Sequence, residues 1–275
     1  MFADLHIHSW YSDGTFTPEE IVTKAKSQNI TLISVCDHNL TDAYSELPGL
    51  CGENNIKFIN GVEINAYMEN MDYHILAYGF DMKNNALNDL LQYNRGVYAD
   101  IANKLIANIS KDYSDVSLKE FSKYERNRKN GGWESIDYLK SKGLLANGIT
   151  DYFDFIKKYG SPPEKSFLSP VEVIKIIKNA GGYAVLAHLG EYTERNITNC
   201  EKTAVQFLNM GIDGFECYYP YHTAELTEFL VKFCREHDLI ITAGGDEHGD
   251  FAAGDKCFIG TVKIKIEQLN LKNLI

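Results

Sequence analysis

Short apolar runs that end in histidine or a carboxylate recur along this chain and constrain its fold more than any other feature. Phe2–Ile7 leads into His8, with His6 two residues before it. Residues 32–36 lead into Asp37-His38, residues 57–62 into Glu63 and residues 183–187 into His188. Residues 239–243 are followed closely by Asp246 and His248, and residues 73–78 carry His74 just after Asp72. With residues 212–217, these make seven predicted strands. On an extended strand, residues two apart face the same side, so His6 and His8 can address one ion. Alone, such a pair carries little weight, and any one strand-end His or Glu is more often a satisfied structural residue. Six of the eight histidines at such positions, interleaved with carboxylates, are hard to explain as core packing. Buried charges need partners, and a metal cluster would partner all of them together.

Helical segments alternate with these strands. Thr17-Pro18-Glu19-Glu20 supplies an N-cap, a proline at the first helical position and a glutamate at the third, the signature of a capping box. It predicts a helix to about residue 28. Ser169-Pro170-Val171-Glu172 repeats the pattern, and Gly181-Gly182 supplies the stop. Leu226, Phe229, Leu230 and Phe233 fall on one helical face. The alternation predicts parallel βα units. In a parallel α/β barrel the C-terminal strand ends converge on one mouth, where active sites are built.

Residues 81–168 break the rhythm. Leu87, Leu90, Leu91, Ile101, Leu105 and Ile109 predict a helix at the start; residues 113–129 are polar, and 136–152 read as helical again. A structureless loop of this length is improbable in a compact domain. The expectation is a barrel of residues 1–80 and 169–275, interrupted by a helical insertion over 81–168.

With 275 residues, 44 % of them apolar and 24 % charged, the chain has the make-up of a soluble globular protein. A net charge of −11 sets it against duplex nucleic acid, whose phosphates it would repel. A small anionic substrate remains compatible, because divalent cations reverse the field inside a cleft. MFADLHIHSW has no basic-then-apolar leader pattern. No apolar run approaches the roughly 20 residues of a membrane helix. Six scattered cysteines without a CxxC pair predict free thiols in a reducing cytoplasm.

Taken in order, DLHIHSWYSDG, CDH, GVE, His74, Ala187-His188 and GDEH at 245–248 resemble the PHP family, named for polymerases and histidinol phosphatases. The resemblance spans nearly the whole chain. It implies a distorted (β/α)7 barrel, in agreement with the seven strands, and two or three divalent metal ions (manganese, iron or zinc). It implies one metal held by His6, His8, Glu63 and Asp246. A second would share Glu63 and add His74 and His188, and a third would take Asp13, His38 and His248. Read without the family, Asp13 is an ordinary Asp-Gly turn residue. Mixed imidazole and carboxylate ligands suit all three metals. His6, His8, Glu63, His188 and Asp246 are expected to carry catalysis. The insertion looks like that of small phosphoesterases acting on nucleotides and related phosphates. Two positions depart from the pattern: Gly132-Trp133-Glu134 stands where an Arg-Pro-His-like segment is common, and Asn39 where an acidic residue usually follows the motif histidine.

The implied activity is hydrolysis of a small phosphate ester: a nucleotide phosphate, a cyclic phosphate, or a sugar or histidinol phosphate. Hydroxide held between two metals would attack phosphorus in line, since such ions bring the pKa of water to about 7. Arg95, Arg126, Arg128 and Arg195 are the candidate phosphate-binding cations, with Arg95 or Arg128 expected to lean over the mouth. The basic stretch 123–129 reads equally as a solvated face. His222 reads as a substrate contact or a loop residue, and His237 as a structural residue near a helix C-terminus. A metal-dependent amidohydrolase shares the HxH pair and the last aspartate, but has no need of Asp13 with Asp37-His38. A non-enzymatic PHP scaffold is disfavoured because every matched ligand position is filled.

Overall fold

The computed structural model describes residues 1–252 and 256–275. Among these, nine strands are β1 (Phe2–Ile7), β2 (Ile30–Val35), β3 (Lys57–Phe58), β4 (Gly61–Met68), β5 (Met71–Tyr78), β6 (Tyr183–Leu186), β7 (Gly214–Tyr218), β8 (Ile240–Ala243) and β9 (Ile264–Lys265). They form a mixed α/β fold of two sheets, ordered β3-β2-β1-β9 and β4-β5-β6-β7-β8. The sheets meet at two seams through single bridges, Ile7 to Glu247 and His38 to Glu63. At neither seam do two of these strands pair directly with each other, so no continuous closed ladder is present among the described residues.

The expectation of uniformly parallel strands is corrected. β4 and β5 pair antiparallel over their full lengths, from Gly61 opposite Tyr78 to Met68 opposite Met71, and β5 is also antiparallel to β6. The hairpin turns on Glu69-Asn70, both with positive φ (53° and 65°). A two-residue turn with both centres left-handed matches the twist of its flanking strands. Two consequences reach the site. Glu63 sits near the start of β4 rather than at a strand end, and His74 reaches the same mouth because β5 runs in reverse. The run 57–62 is also divided, since β3 stops at Phe58 and β4 begins at Gly61. No side chain fits at Gly61: a Cβ there would lie 2.3 Å from Ser34 Oγ and 2.7 Å from Cys36 Sγ.

Local signals set the helix starts. Thr17 Oγ1 accepts from the Glu20 amide (3.2 Å) while Glu20 Oε2 accepts from the Thr17 amide (2.8 Å), opening Pro18–Ser27. Pro170–Asn179 opens likewise, with the Ser169 amide donating to Glu172 Oε2 at 3.0 Å. Helix Ala224–Glu236 buries Leu226, Leu230 and Phe233 against the larger sheet. The long segment between β5 and β6 begins with the 25-residue helix Asn85–Ile109. Its first half packs Leu87, Leu90 and Leu91 into the main core, and its second half gives Leu105, Ile106 and Ile109 to a separate cluster with Phe121, Tyr138 and Leu139. The expected helix over 136–152 is two helices, Glu134–Ser141 and Ile149–Tyr159. Gly143 and Gly148, both at positive φ, make the break. No helix among the described residues is long and apolar enough to cross a membrane.

One hydroxyl ties the smaller sheet to the larger. Tyr44 Oη accepts from the Gly61 amide at 2.7 Å and lies 2.9 Å from the carbonyls of Val35 and Ile59. Tyr44→Phe leaves these groups without their shared partner and should cost about 1–3 kcal/mol, measured by urea unfolding. A loss below about 0.5 kcal/mol would mean that the seam does not depend on it.

Candidate metal centre

β1 delivers His6 and His8 to one face, both fully buried. Their Nε2 atoms lie 3.2 Å apart, and each approaches the same two carboxylates. Glu63 Oε2 is 3.3 Å from His6 Nε2 and 3.1 Å from His8 Nε2, and Asp246 Oδ1 stands at the same two distances. The other Glu63 oxygen faces His74 Nδ1 at 3.0 Å and His188 Nε2 at 3.2 Å. Asp13 Oδ2 faces His248 Nε2 at 3.4 Å and His38 Nε2 at 3.7 Å. All nine residues singled out in the sequence as metal ligands converge here.

The manner of convergence bears on what they hold. His8 Nδ1, Asp13 Oδ1, His38 Nδ1, Glu63 Oε2, His74 Nδ1 and His188 Nδ1 are buried and make no hydrogen bond. Several of them still lie within 3.0–3.3 Å of an opposite partner. Nitrogens and oxygens this close without hydrogen-bond alignment point at a shared space rather than at each other. That suits donors around a cation, since unpaired buried polar atoms are otherwise costly. Three sets have donor atoms within 4.8 Å of one another: His6, His8, Glu63 and Asp246; His8, Asp13, His38 and His248; and His38, Glu63 and His74. The first matches the expected grouping. The second adds His8 to the expected three. The third has His38 where His188 was expected, with His188 facing the Glu63 oxygen that His74 also faces.

Burial and opposing charge compete over every proton in this cluster. Burial works against a charged His74, but the combined pull of Glu63, Asp72 and Asp246 lifts it to about 9. Burial likewise opposes a charged His248, yet Asp13 and Asp246 raise it to about 10. At His38 burial prevails and the pKa falls to about 3. Burial also disfavours the Glu63 carboxylate, but the surrounding histidines hold it well below its usual range.

Supporting contacts explain both departures from the family pattern. Asp37 belongs to none of the three sets; it accepts from the Ser9 amide (2.7 Å), Ser9 Oγ (2.6 Å) and Ser12 Oγ (2.5 Å), and so shapes the loop that presents Asp13. Asn39 has φ 53°, a conformation that asparagine tolerates. Its Nδ2 donates to Asn65 Oδ1 at 2.8 Å while its Oδ1 accepts from Asn94 Nδ2 at 2.8 Å. A carboxylate could not make that donation. Gly132-Trp133 is docked on the site: the Gly132 amide donates to the Asp13 carbonyl at 2.7 Å, and the Trp133 ring lies 5.4 Å from His38. Several buried acids have no role in the sequence reading, Asp4 and Glu216 among them. Asp4 accepts from the amides of Gly245 (2.9 Å) and Gly260 (2.8 Å). Glu216 faces His6 Nδ1 at 3.0 Å and accepts from the His188 amide at 2.9 Å. Each stands as a lone acid in an apolar strand, which by itself marks no site.

A cavity of about 890 Å³ extends from His38 to the insertion, lined by Arg95, Arg126, Arg128, Tyr98, Trp133 and Tyr152 among others. Arg95 also donates to the Asn39 carbonyl at 2.7 Å. Arg126 is engaged by the carbonyls of Gly132 and Trp10, whereas Arg128 lies over the Tyr11 ring at 4.9 Å. Arg195 pairs with Glu191 and does not line this cavity. His222 borders a different groove, and both its ring nitrogens meet backbone: Nε2 accepts from Gly190 N, and Nδ1 lies 3.1 Å from the Cys217 carbonyl. His237 caps Ala224–Glu236 and packs on Phe233 at 4.5 Å.

The sequence profile of the PHP domain matches residues 4–225. The chain belongs to the PHP family. Among its relatives, a protein of Haemophilus influenzae named 5′-3′ exoribonuclease is 29 % identical over 253 residues, covering 89 % of each chain. The 3′,5′-nucleoside bisphosphate phosphatase of Chromobacterium violaceum is 25 % identical, covering 91 % of this chain and 88 % of its own. A solved structure from Bifidobacterium adolescentis, described as a metal-dependent phosphoesterase, superposes with a TM-score of 0.80 at 25 % identity, covering 97 % of this chain and 93 % of its own.

Because His74 and His248 hold protons at neutral pH in the absence of a cation, ligation must displace them. Zinc binding at pH 7 should therefore release protons and weaken steadily as pH falls. Calorimetric heats that do not vary with the ionisation enthalpy of the buffer would contradict this.

Proposed function

We propose that this metal-dependent phosphoesterase hydrolyses a nucleotide phosphate, holding two or three divalent ions (manganese, iron or zinc) on His6, His8, Asp13, His38, Glu63, His74, His188, Asp246 and His248. The supporting observation is the junction of this convergent cluster with a cavity that mixes arginines and aromatic rings. Guanidinium forks suit phosphate oxygens, and Trp133, stacked on Tyr98 at 4.6 Å, offers a flat face to a base. A sugar or histidinol phosphate has less use for that wall. The two interrupted seams are read as the closure of a distorted (β/α)7 barrel. A cytoplasmic setting agrees with the unbridged buried thiols of Cys36, Cys51, Cys200, Cys217 and Cys234.

Divalent ions bound here supply Lewis acidity and bring water within reach of ionisation near pH 7. The chain's own residues do the positioning. Glu63 spans the cluster, one oxygen toward His6 and His8 and the other toward His74 and His188. It thereby fixes the spacing of neighbouring ligand groups. Asp246 approaches from the opposite seam, and Asp13 draws in His38 and His248. Arg128, over Tyr11, is the proposed phosphate contact, with Arg95 beside it. His222 is left out of this reading, since both ring nitrogens meet backbone groups. Asp13 beside His38 and His248 favours this chemistry over an ordinary two-metal amidohydrolase.

Asp246→Ala should lower kcat by at least about 10²-fold, beyond what loss of a supporting contact costs. Arg128→Ala should raise KM about tenfold, a loss of about 1.4 kcal/mol of binding. The assay is a panel of nucleoside 3′,5′-bisphosphates, short 5′-phosphorylated oligoribonucleotides, sugar phosphates, histidinol phosphate, amides and lactones. Turnover that survives chelation, or a preference for amides, would sink the proposal.

A further inference from the structure

Glu216 lies at the centre of β7, on the face opposite Phe215 and Cys217, which enter the core behind the sheet. Its side chain is fully buried, and a carboxylate is expensive there without partners. Both its partners belong to the cluster. Oε1 lies 3.0 Å from His6 Nδ1, and Oε2 accepts from the backbone amide of His188 at 2.9 Å. The His188 backbone has φ 29°, a left-handed conformation that a non-glycine residue holds only where its surroundings fix it. Gly244 completes the packing, since a Cβ there would lie 2.2 Å from His6 Cβ and 2.5 Å from Glu216 Oε1.

We infer that Glu216 is a positioning residue for the cluster, acting on two ligands at once through its two oxygens. The inference rests on the metal-centre reading above. An acceptor at Nδ1 keeps the His6 proton on that nitrogen and leaves the Nε2 lone pair toward Glu63 and Asp246, both at 3.3 Å. The second oxygen pins the strained turn that aims the His188 ring at Glu63. Glu216 does not itself belong to any of the three donor sets. A hydrogen-bonded carboxylate behind a ligating histidine fixes ring and tautomer, and its loss typically costs 10–100-fold in metal affinity. Glutamine has one acceptor oxygen where two are needed. Either His6 meets an amide N–H, which favours the tautomer with its proton on Nε2, or the His188 amide loses its acceptor.

The test is zinc binding to the full chain, followed by calorimetry and by metal analysis after dialysis. The wild type, Glu216→Gln and Gly244→Ala are compared, the last keeping the carboxylate but crowding it away from His6. Each variant should bind zinc at least about tenfold more weakly than wild type. In zinc-loaded wild type, nitrogen NMR should show His6 protonated at Nδ1; in Glu216→Gln that signature should be lost or mixed. A folded Glu216→Gln with wild-type zinc affinity and an unchanged His6 signal would overturn the inference. So would an Nε2-protonated His6 in zinc-loaded wild type, a result that holds even if neither variant folds. Failure of the wild type to bind zinc, manganese or iron at all would instead overturn the metal-centre reading.

Discussion

Glu63 is the interaction on which the rest of the structure depends. One carboxylate, almost wholly buried, faces five imidazoles from four different segments. A charge taken so far out of water survives only if opposite charge surrounds it on every side. His6 and His74, whose pKa values the surrounding carboxylates raise against the effect of burial, provide that charge while they carry protons, and a divalent cation would provide it once they do not. The two states exclude each other, which makes the cluster a place where protons and metal ions compete. The seam between the two sheets runs through the same residue, for the bridge between His38 and Glu63 is one of the two isolated backbone bridges that join the described sheets.

Around that carboxylate, the fold supplies restraint at three levels. The candidate ligands sit on strands or shortly beyond their ends, except Asp13, which is carried by the turn that follows β1. Behind them, Asp37 shapes the Asp13 loop, and buried Asn39, Asn65 and Asn94 bond side chain to side chain. Helix Asn85–Ile109 then couples the segment between β5 and β6 to the site, because Asn94 and Arg95 contact Asn39 while the far half of the helix packs into a separate hydrophobic cluster. The cavity wall and the ligand loop are thus parts of one packed unit. Trp133, Tyr98 and the arginines are held at a fixed place relative to His38, as substrate selection by shape requires.

Much of this was legible before any coordinates. Both capping boxes, the amphipathic face of Ala224–Glu236 and the recurrence of histidines and carboxylates at strand ends follow from local pattern, whereas the full set of nine residues, Asp13 above all, is what the family resemblance implies. Local pattern is weakest where partners are distant. The hairpin at Glu69-Asn70 reverses β5, yet a short apolar run reads the same in a parallel or an antiparallel strand. The structure brings His74 against Glu63, but through a strand reversal that the sequence reading does not contain. Asp4 and Glu216 were passed over because a lone acid within an apolar strand has no local signature, and its meaning lies entirely in what the fold brings against it. The two departures from the family pattern were noticed but not interpretable. Asn39 makes sense only beside Asn94, 55 residues away, and Gly132 only beside the Asp13 carbonyl.

The sequence by itself determined which residue types meet at the mouth and that together they are able to bind metal ions. Histidines and carboxylates that recur at strand ends cannot be buried without partnering one another. Tertiary structure alone decided how they are shared. It placed His8 in two donor sets and His38 beside Glu63, aimed Glu216 at His6 from 210 residues away, and set the insertion's arginines and rings over one side of the cluster. The physical reason is range. Propensity, capping and alternation act over a few residues, whereas ligand sharing and the shape of a cavity depend on distances between segments that only the packed chain fixes.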